Sequence, residues 1–462
     1  MSETLSHNVL DGTAGEIVEA LAARKIGALE LTDAAIARIE DRDRAINAVV
    51  VRDFDRARDA ARAADAALSR GERRPLLGVP MTVKESNNVA GLPSTWGSPA
   101  FSGWTADTDA VAVARLKDAG AIILGKTNVP PFLADWQSNN PVYGRTKNPW
   151  DLGRSPGGSS GGSAAALASG MSALELGSDI GGSIRVPAAF CGVYGHKPSY
   201  NLVPLRGHSP PGLDGGPVAL AVVGPLARCA ADLDLALGVV AGPEPDEATG
   251  YALQLPPPRH TDPADFRVFV IDRHPQVVTD DEVSGALNAV AARLDALGAQ
   301  VTRSSELLPD LGAQHGVYMG LLGAAMSRGV PGAEVINAHE WMNLQDAQVA
   351  FRRRWATFFR SFDVVLMPTF GIPAFPHDDE PDQQKRIHVI NGRPTPYFGQ
   401  LGWPGVALLP CLPATACPIG LSRGGLPLSL QVMGPYLEDR TTIAFAGLLE
   451  REFGGFKAPP AF

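Results

Sequence analysis

Cysteine is scarce in this chain of 462 residues: only Cys191, Cys229, Cys411 and Cys417 occur. Cys411 and Cys417 are six apart, which fits neither a CxxC redox motif nor a zinc knuckle. The expectation is therefore four buried free thiols in a reducing, cytoplasmic setting, with no metal. Long apolar runs are also missing, so no segment reads as a membrane span. Residues 1–20 lack the basic start and apolar core of a secretion signal. Basic charge is outnumbered, with 40 Lys and Arg against 49 Asp and Glu and a net charge of −9. That balance argues against the basic stripe of a nucleic-acid binder. Internal repeats and low-complexity tracts are absent as well, which leaves solenoids and linkers aside.

What remains has a globular composition, 45% hydrophobic and 19% charged. Fifty glycines and 39 prolines without a tripeptide period mean many turns. The first 70 residues read as helical and packed on the core. Thr13 and Glu16 have capping-box spacing, and residues 54–68 form an Ala/Arg/Asp-rich helix ending at Gly71. From Leu76 onward, short apolar runs such as LLGVPMTVK, GAIILGK and SALELGSD read as buried strands. Helical segments separate them, including 109–119. This alternation predicts an α/β fold with a sheet covered by helices on both faces.

The polar, proline-rich stretch 242–265 reads as a surface loop. A βαβ-like unit follows: the strand FRVFVI, a helix capped by Thr279 and Glu282 and stopped at Gly298, and the strand AQVTR. Residues 306–360 read as helical, FDVVLMP as a strand, and 370–395 as irregular. The tail, residues 406–440, returns to short strands and turns. One interleaved domain fits better than two separable ones.

Two familiar motifs are matched in the wrong context. Gly120-Ala-Ile-Ile-Leu-Gly-Lys-Thr127 fits the phosphate-loop pattern, but its middle residues should be strand and core rather than an open loop. Gly157-Gly-Ser-Ser-Gly161 fits the nucleophile-elbow pattern, but a loop precedes Ser159 where that motif needs a strand. Two glycine-serine segments remain, 156–162 and 177–185, with Lys84 in the apolar stretch GVPMTVK. On spacing alone they fit either catalytic loops or anion nests.

These segments resemble the amidase signature family, serine hydrolases with a Ser–cis-Ser–Lys triad. The likeness rests on GVPMTVKES, GKTNVPPF, NPVYGRTKNPWDLGRSPGGSSGGSAAA and GSDIGGSIRVPAAFCGVYGHKPS, with a weaker tail match in GLPLSLQVMGPYLED. It implies one α/β/α domain over 71–462 with a central mixed sheet and a variable substrate-side region at about 242–400. It implies Lys84 as base, Ser159 as the bridging serine on a cis peptide bond, and Ser183 as nucleophile. The N–H groups of Ile180, Gly181, Gly182 and Ser183 would form the oxyanion hole. Asp179, Arg185 and Ser160 would hold that loop.

Leu133, Asp135 and Trp136, in LADWQ, would line the acyl pocket; by its own character Trp136 could equally be plain core. Pro131 departs from the family, which often has an acidic residue there. His196 is read as packed or hydrogen-bonded rather than catalytic.

The implied activity is hydrolysis of a small amide, ester, anilide or carbamate through a seryl acyl-enzyme, with no cofactor. The alternative is the glutaminase subunit of a tRNA-dependent amidotransferase. INGRPTPYFGQLGWPG, at 390–405, looks more like stand-alone bacterial amidases. Lysine can act as base only when neutral, which requires its value near 10.4 to fall by about three through burial. A homodimer is the expected assembly.

Overall fold

The apolar runs expected to be strands assemble, in the computed structural model, into one eleven-stranded sheet. The structure describes residues 8–213, 215–328, 332–333 and 335–462. The first seven residues of the expected helical segment and positions 329–331 and 334 of the expected substrate-side region lie outside the described residues. The strands are β1 Val49–Arg52, β2 Pro80–Lys84, β3 Ile122–Thr127, β4 Leu174–Asp179, β5 Tyr194–Lys197 and β6 Val222–Ala227. They continue with β7 Arg267–Val270, β8 Gln300–Thr302, β9 Val364–Pro368, β10 Ala414–Leu421 and β11 Pro427–Met433.

Their spatial order is β1-β3-β2-β4-β6-β5-β10-β11-β9-β7-β8. β3, β2 and β4 run parallel, as do β9, β7 and β8, and the other pairings are antiparallel. The sheet is thus mixed, and helices flank it. β2, β3, β4 and β6 are buried at every position, which is why they read as continuous apolar runs rather than alternating ones.

The site is positioned by three features of the fold. Lys84 ends β2 and Asp179 ends the neighbouring parallel strand β4, so both reach the same carboxyl edge. Ligands in open α/β sheets bind outside that edge. The buried helix Gly161–Ala168 is built only of Gly, Ser, Ala and one Leu, and packs over β2, β3 and β4. Small side chains let it approach the sheet closely, carrying the loop before it onto Lys84. Farther on, Leu311–Ser327 and Ala338–Phe358 bring aromatic side chains over the loop after β4.

Several local expectations need correction. The segment read as helical contains the edge strand β1, paired antiparallel to β3; three consecutive valines favour an extended chain. The stretch read as irregular contains the hairpin Ile387–Ile390 with Arg393–Pro396. Thr279 does not cap the helix Asp281–Ala296. Asp280 does, accepting from Glu282 N–H at 2.8 Å, while Thr279 Oγ1 accepts from Trp403 Nε1 at 3.1 Å. The tail is entered by a helix, Gly402–Leu408, rather than by a strand.

Thr13 and Glu16 do form a reciprocal capping box, and the phosphate-loop look-alike is strand β3. The four cysteines are free and buried. His196 is buried between Thr415 Oγ1 and Asp439 Oδ1, at 2.9 and 3.1 Å. No described helix is long and apolar enough to cross a membrane.

Candidate active site

Lys84 enters the site from the end of β2 with its side chain fully buried. Its Nζ lies 2.6 Å from Ser159 Oγ and 2.9 Å from Ser178 Oγ. Burial strips water from the ammonium and lowers the lysine to about 7, although Asp179 pulls it upward. The amine is therefore partly neutral near neutral pH and mostly neutral above it. His208, also buried and near this cation, is held down to about 3 and stays uncharged.

Ser159 follows a cis peptide bond between Gly158 and itself. Gly158 has no room for a side chain, since a Cβ there would lie 2.3 Å from Asp135 O. The loop is fixed by Ser138, whose Oγ accepts from Gly161 N–H at 3.0 Å and donates toward Gly157 O at 3.3 Å. Ser160 joins it to the second loop: its N–H donates to Ser183 O at 3.2 Å and its Oγ to Ser178 O at 3.4 Å.

The second loop turns at Ile180–Ser183 and leads into the short helix Arg185–Cys191. Ser183 does not itself start the helix; Ile184 is the N-cap. Gly182 has φ +95°, a left-handed conformation that favours glycine. Asp179 organises the turn, accepting from Gly182 N–H at 2.8 Å and Ile184 N–H at 3.1 Å. Arg185 completes a buried ion pair with it, Nε to Oδ2 at 3.0 Å. Burial alone would raise Asp179, but Arg185 outweighs it and holds the carboxyl below its usual range. Arg185 is held in turn by Gln431 Oε1 at 2.6 Å. Of the four amides expected as oxyanion donors, Gly182 is thus already engaged by a carboxylate.

Two aromatic donors grip the same turn from outside. Tyr318 Oη donates to Ile180 O and Trp136 Nε1 to Gly181 O, both at 3.0 Å. Trp136 is buried and sits edge-on to Phe370 at 4.9 Å, with Tyr397 at 5.2 Å and Phe398 at 6.0 Å. The alternatives for Trp136, wall or core, thus merge: it packs in an aromatic cluster and holds the loop. Asp135 points away from any free role, bonded to Arg386 at 2.7 Å and Tyr397 Oη at 2.6 Å. Leu133 lies half-buried in a turn beside the exposed Phe132. Ser178, Ser138 and Arg386 are the contributors that sequence reasoning did not assign.

The Amidase family's profile matches residues 30–328 and 320–443. The chain belongs to the amidase family. It is an amidase-signature hydrolase acting on C–N bonds. It is 34% identical to a glutamyl-tRNA(Gln) amidotransferase subunit of Anaeromyxobacter sp. (strain K), covering 95% of this chain and 96% of the relative. Among solved structures, 6-aminohexanoate cyclic dimer hydrolase complexed with substrate has 26% identity and a TM-score of 0.81, with 98% and 99% covered. A chain from the inhibitor-bound complex tied to the origins of an s-triazine catabolic enzyme has 28% identity and a TM-score of 0.83, with 97% and 100% covered.

Proposed function

We propose that this amidase family member is a free-standing amidase that cleaves a small uncharged amide through an acyl-enzyme on Ser183. The observation that carries the reading is the buried Lys84, lowered to about 7, with its Nζ 2.6 Å from Ser159 Oγ. A neutral amine has two N–H groups and one lone pair. It can donate to Ser178 and still accept from Ser159.

Ser159 passes its proton to Lys84 and takes one from Ser183, whose Oγ attacks the substrate carbonyl carbon. The amide N–H groups of Ile180, Gly181 and Ser183 stabilise the resulting oxyanion, each donor contributing roughly 3 kcal/mol. Gly182, whose N–H faces Asp179, is left out of that set. Collapse breaks the C–N bond, and the leaving amine takes the proton back through Ser159. Water then repeats the relay and releases the acid.

The substrate class follows from the surroundings of the turn. Trp136, Phe370, Tyr397 and Phe398 form an aromatic wall, and the charges beside them, Asp135 and Arg386, are spent on each other. An apolar acyl or aryl group fits such a wall, whereas a free amino acid needs unpaired charges.

The 34% identity to part of an amidotransferase, extending over nearly the whole chain, favours a second reading, a glutaminase acting within a complex. The purified chain, assayed with a panel of chromogenic amides, anilides, esters and carbamates beside glutamine, separates the two. The amidase reading expects turnover of apolar amides with a burst of leaving group, lost at least 10³-fold in Ser183→Ala. Ammonia release confined to glutamine would replace it with the second reading. Near-normal turnover by Ser183→Ala would remove both.

A further inference from the structure

A cavity of about 670 Å³ shares no lining residue with the seryl loops. Strand direction explains where it forms. Arg267 opens β7, Leu412 precedes β10, and Tyr436 and Glu438 follow β11. Because β11 runs antiparallel to both β9 and β10, and β7 is parallel to β9, these points meet at one edge of the sheet. The last turns of the helix Ala338–Phe358 close the opposite wall.

Five arginines line the cavity: Arg259, Arg267, Arg352, Arg353 and Arg360. Against them stand two carboxylates, Glu438 in the wall and the buried Asp363 beneath it. Arg259 bridges Glu438 and Asp363, and Arg267 also pairs with Asp363. Arg352 lies over the ring of Tyr436 at 5.2 Å. Among the described residues, Arg352, Arg353 and Arg360 have no carboxylate within ion-pair distance. In a chain with net charge −9 and more acids than bases, three uncompensated guanidiniums around one concavity are a local reversal of sign.

We propose that this cavity is a binding site for a small molecule carrying two or more negative charges as phosphate or carboxylate groups. Guanidinium forks match both groups through paired N–H donors. The volume falls within the range of small-ligand pockets, and its concavity suits a compact anion rather than the flat face of an acidic protein. The ion-paired Arg259 and Arg267 form a fixed floor. Arg353 and Arg360, exposed and unpaired, supply the charge that the ligand neutralises.

The test is calorimetric titration of the full chain with pyrophosphate and, separately, citrate in 0.15 M salt. Saturable one-site binding of either is expected, and which one binds more tightly identifies the group. The double variant R353A/R360A should weaken it at least tenfold while leaving amide turnover in anion-free buffer unchanged. The control R62A/R70A, two exposed arginines outside the cavity, should bind as the parent does. Absence of saturable binding by either anion overturns the proposal. So does an equal loss in the two double variants, because it would reflect net charge rather than a site.

Discussion

Lys84 is the residue whose chemistry depends most on its surroundings. A free lysine stays charged far above neutrality, but this one, enclosed by β2, β4 and the Gly161–Ala168 helix, is lowered to about 7 by loss of water. Its neutral form must be the active one if it is to accept a proton. kcat/KM should therefore rise with pH through a limb near 7 and fall away below it, as the ammonium forms. A pH–rate profile on an anilide checks this; a flat profile between pH 6 and 8 would count against Lys84 as base. Tyr318 acts one step away. In a trans peptide the carbonyl and N–H point in opposite directions, so gripping Ile180 O aims the Gly181 N–H the other way. Tyr318→Phe removes that one hydrogen bond, worth about 1 kcal/mol. The expected result is a kcat reduced roughly five- to tenfold with KM little changed. A change in KM alone would assign Tyr318 to the pocket instead.

Among the elements, the loop 133–137 and the segment 386–397 depend on each other. Asp135 meets Arg386 with both side chains about nine-tenths buried, and Tyr397 donates to the same carboxylate. Removing one partner of such a pair leaves a charge without compensation, a cost of roughly 3 kcal/mol. Arg386→Ala should lower the urea midpoint accordingly and raise KM, because Trp136 next to Asp135 loses its fixed backing. Unchanged stability would mean that Tyr397 alone holds the carboxylate.

This coupling also marks what the sequence could and could not reveal. Lys84 stands out because of its apolar neighbours and the glycine-serine loops because of their composition. Both are local signals. Ser178 gives no such signal, because a serine at a strand end looks like any other turn residue. Only β2 lying parallel beside β4 brings it to Lys84. Tyr318 and Arg386 reach the site across 138 and 251 positions, a separation that no periodicity records. Thr279 and Asp280 are both competent caps, and the indole of Trp403, distant in sequence, decides between them.

On the scale of the whole molecule, one sheet holds both halves of the chemistry. Strands β2 to β4 carry the base and the two seryl loops, and β11 braces them through Gln431 and Arg185. The α/β class and most buried strands were legible as apolar runs. Edge strand β1 and the 387–396 hairpin were not: β1 is four residues set between two helices, and the hairpin strands are short and half exposed. Lys84 has several serines around it, and the proposed relay makes only Ser183 the one that is acylated. Mass mapping of the enzyme quenched during turnover of a slow ester or carbamate tests that most directly. The acyl mass should appear on the peptide containing Ser183, persist in Lys84→Ala only at a greatly reduced rate of formation, and be absent from Ser183→Ala. An acyl group on Ser159, or continued turnover with no serine acylated, would contradict the account.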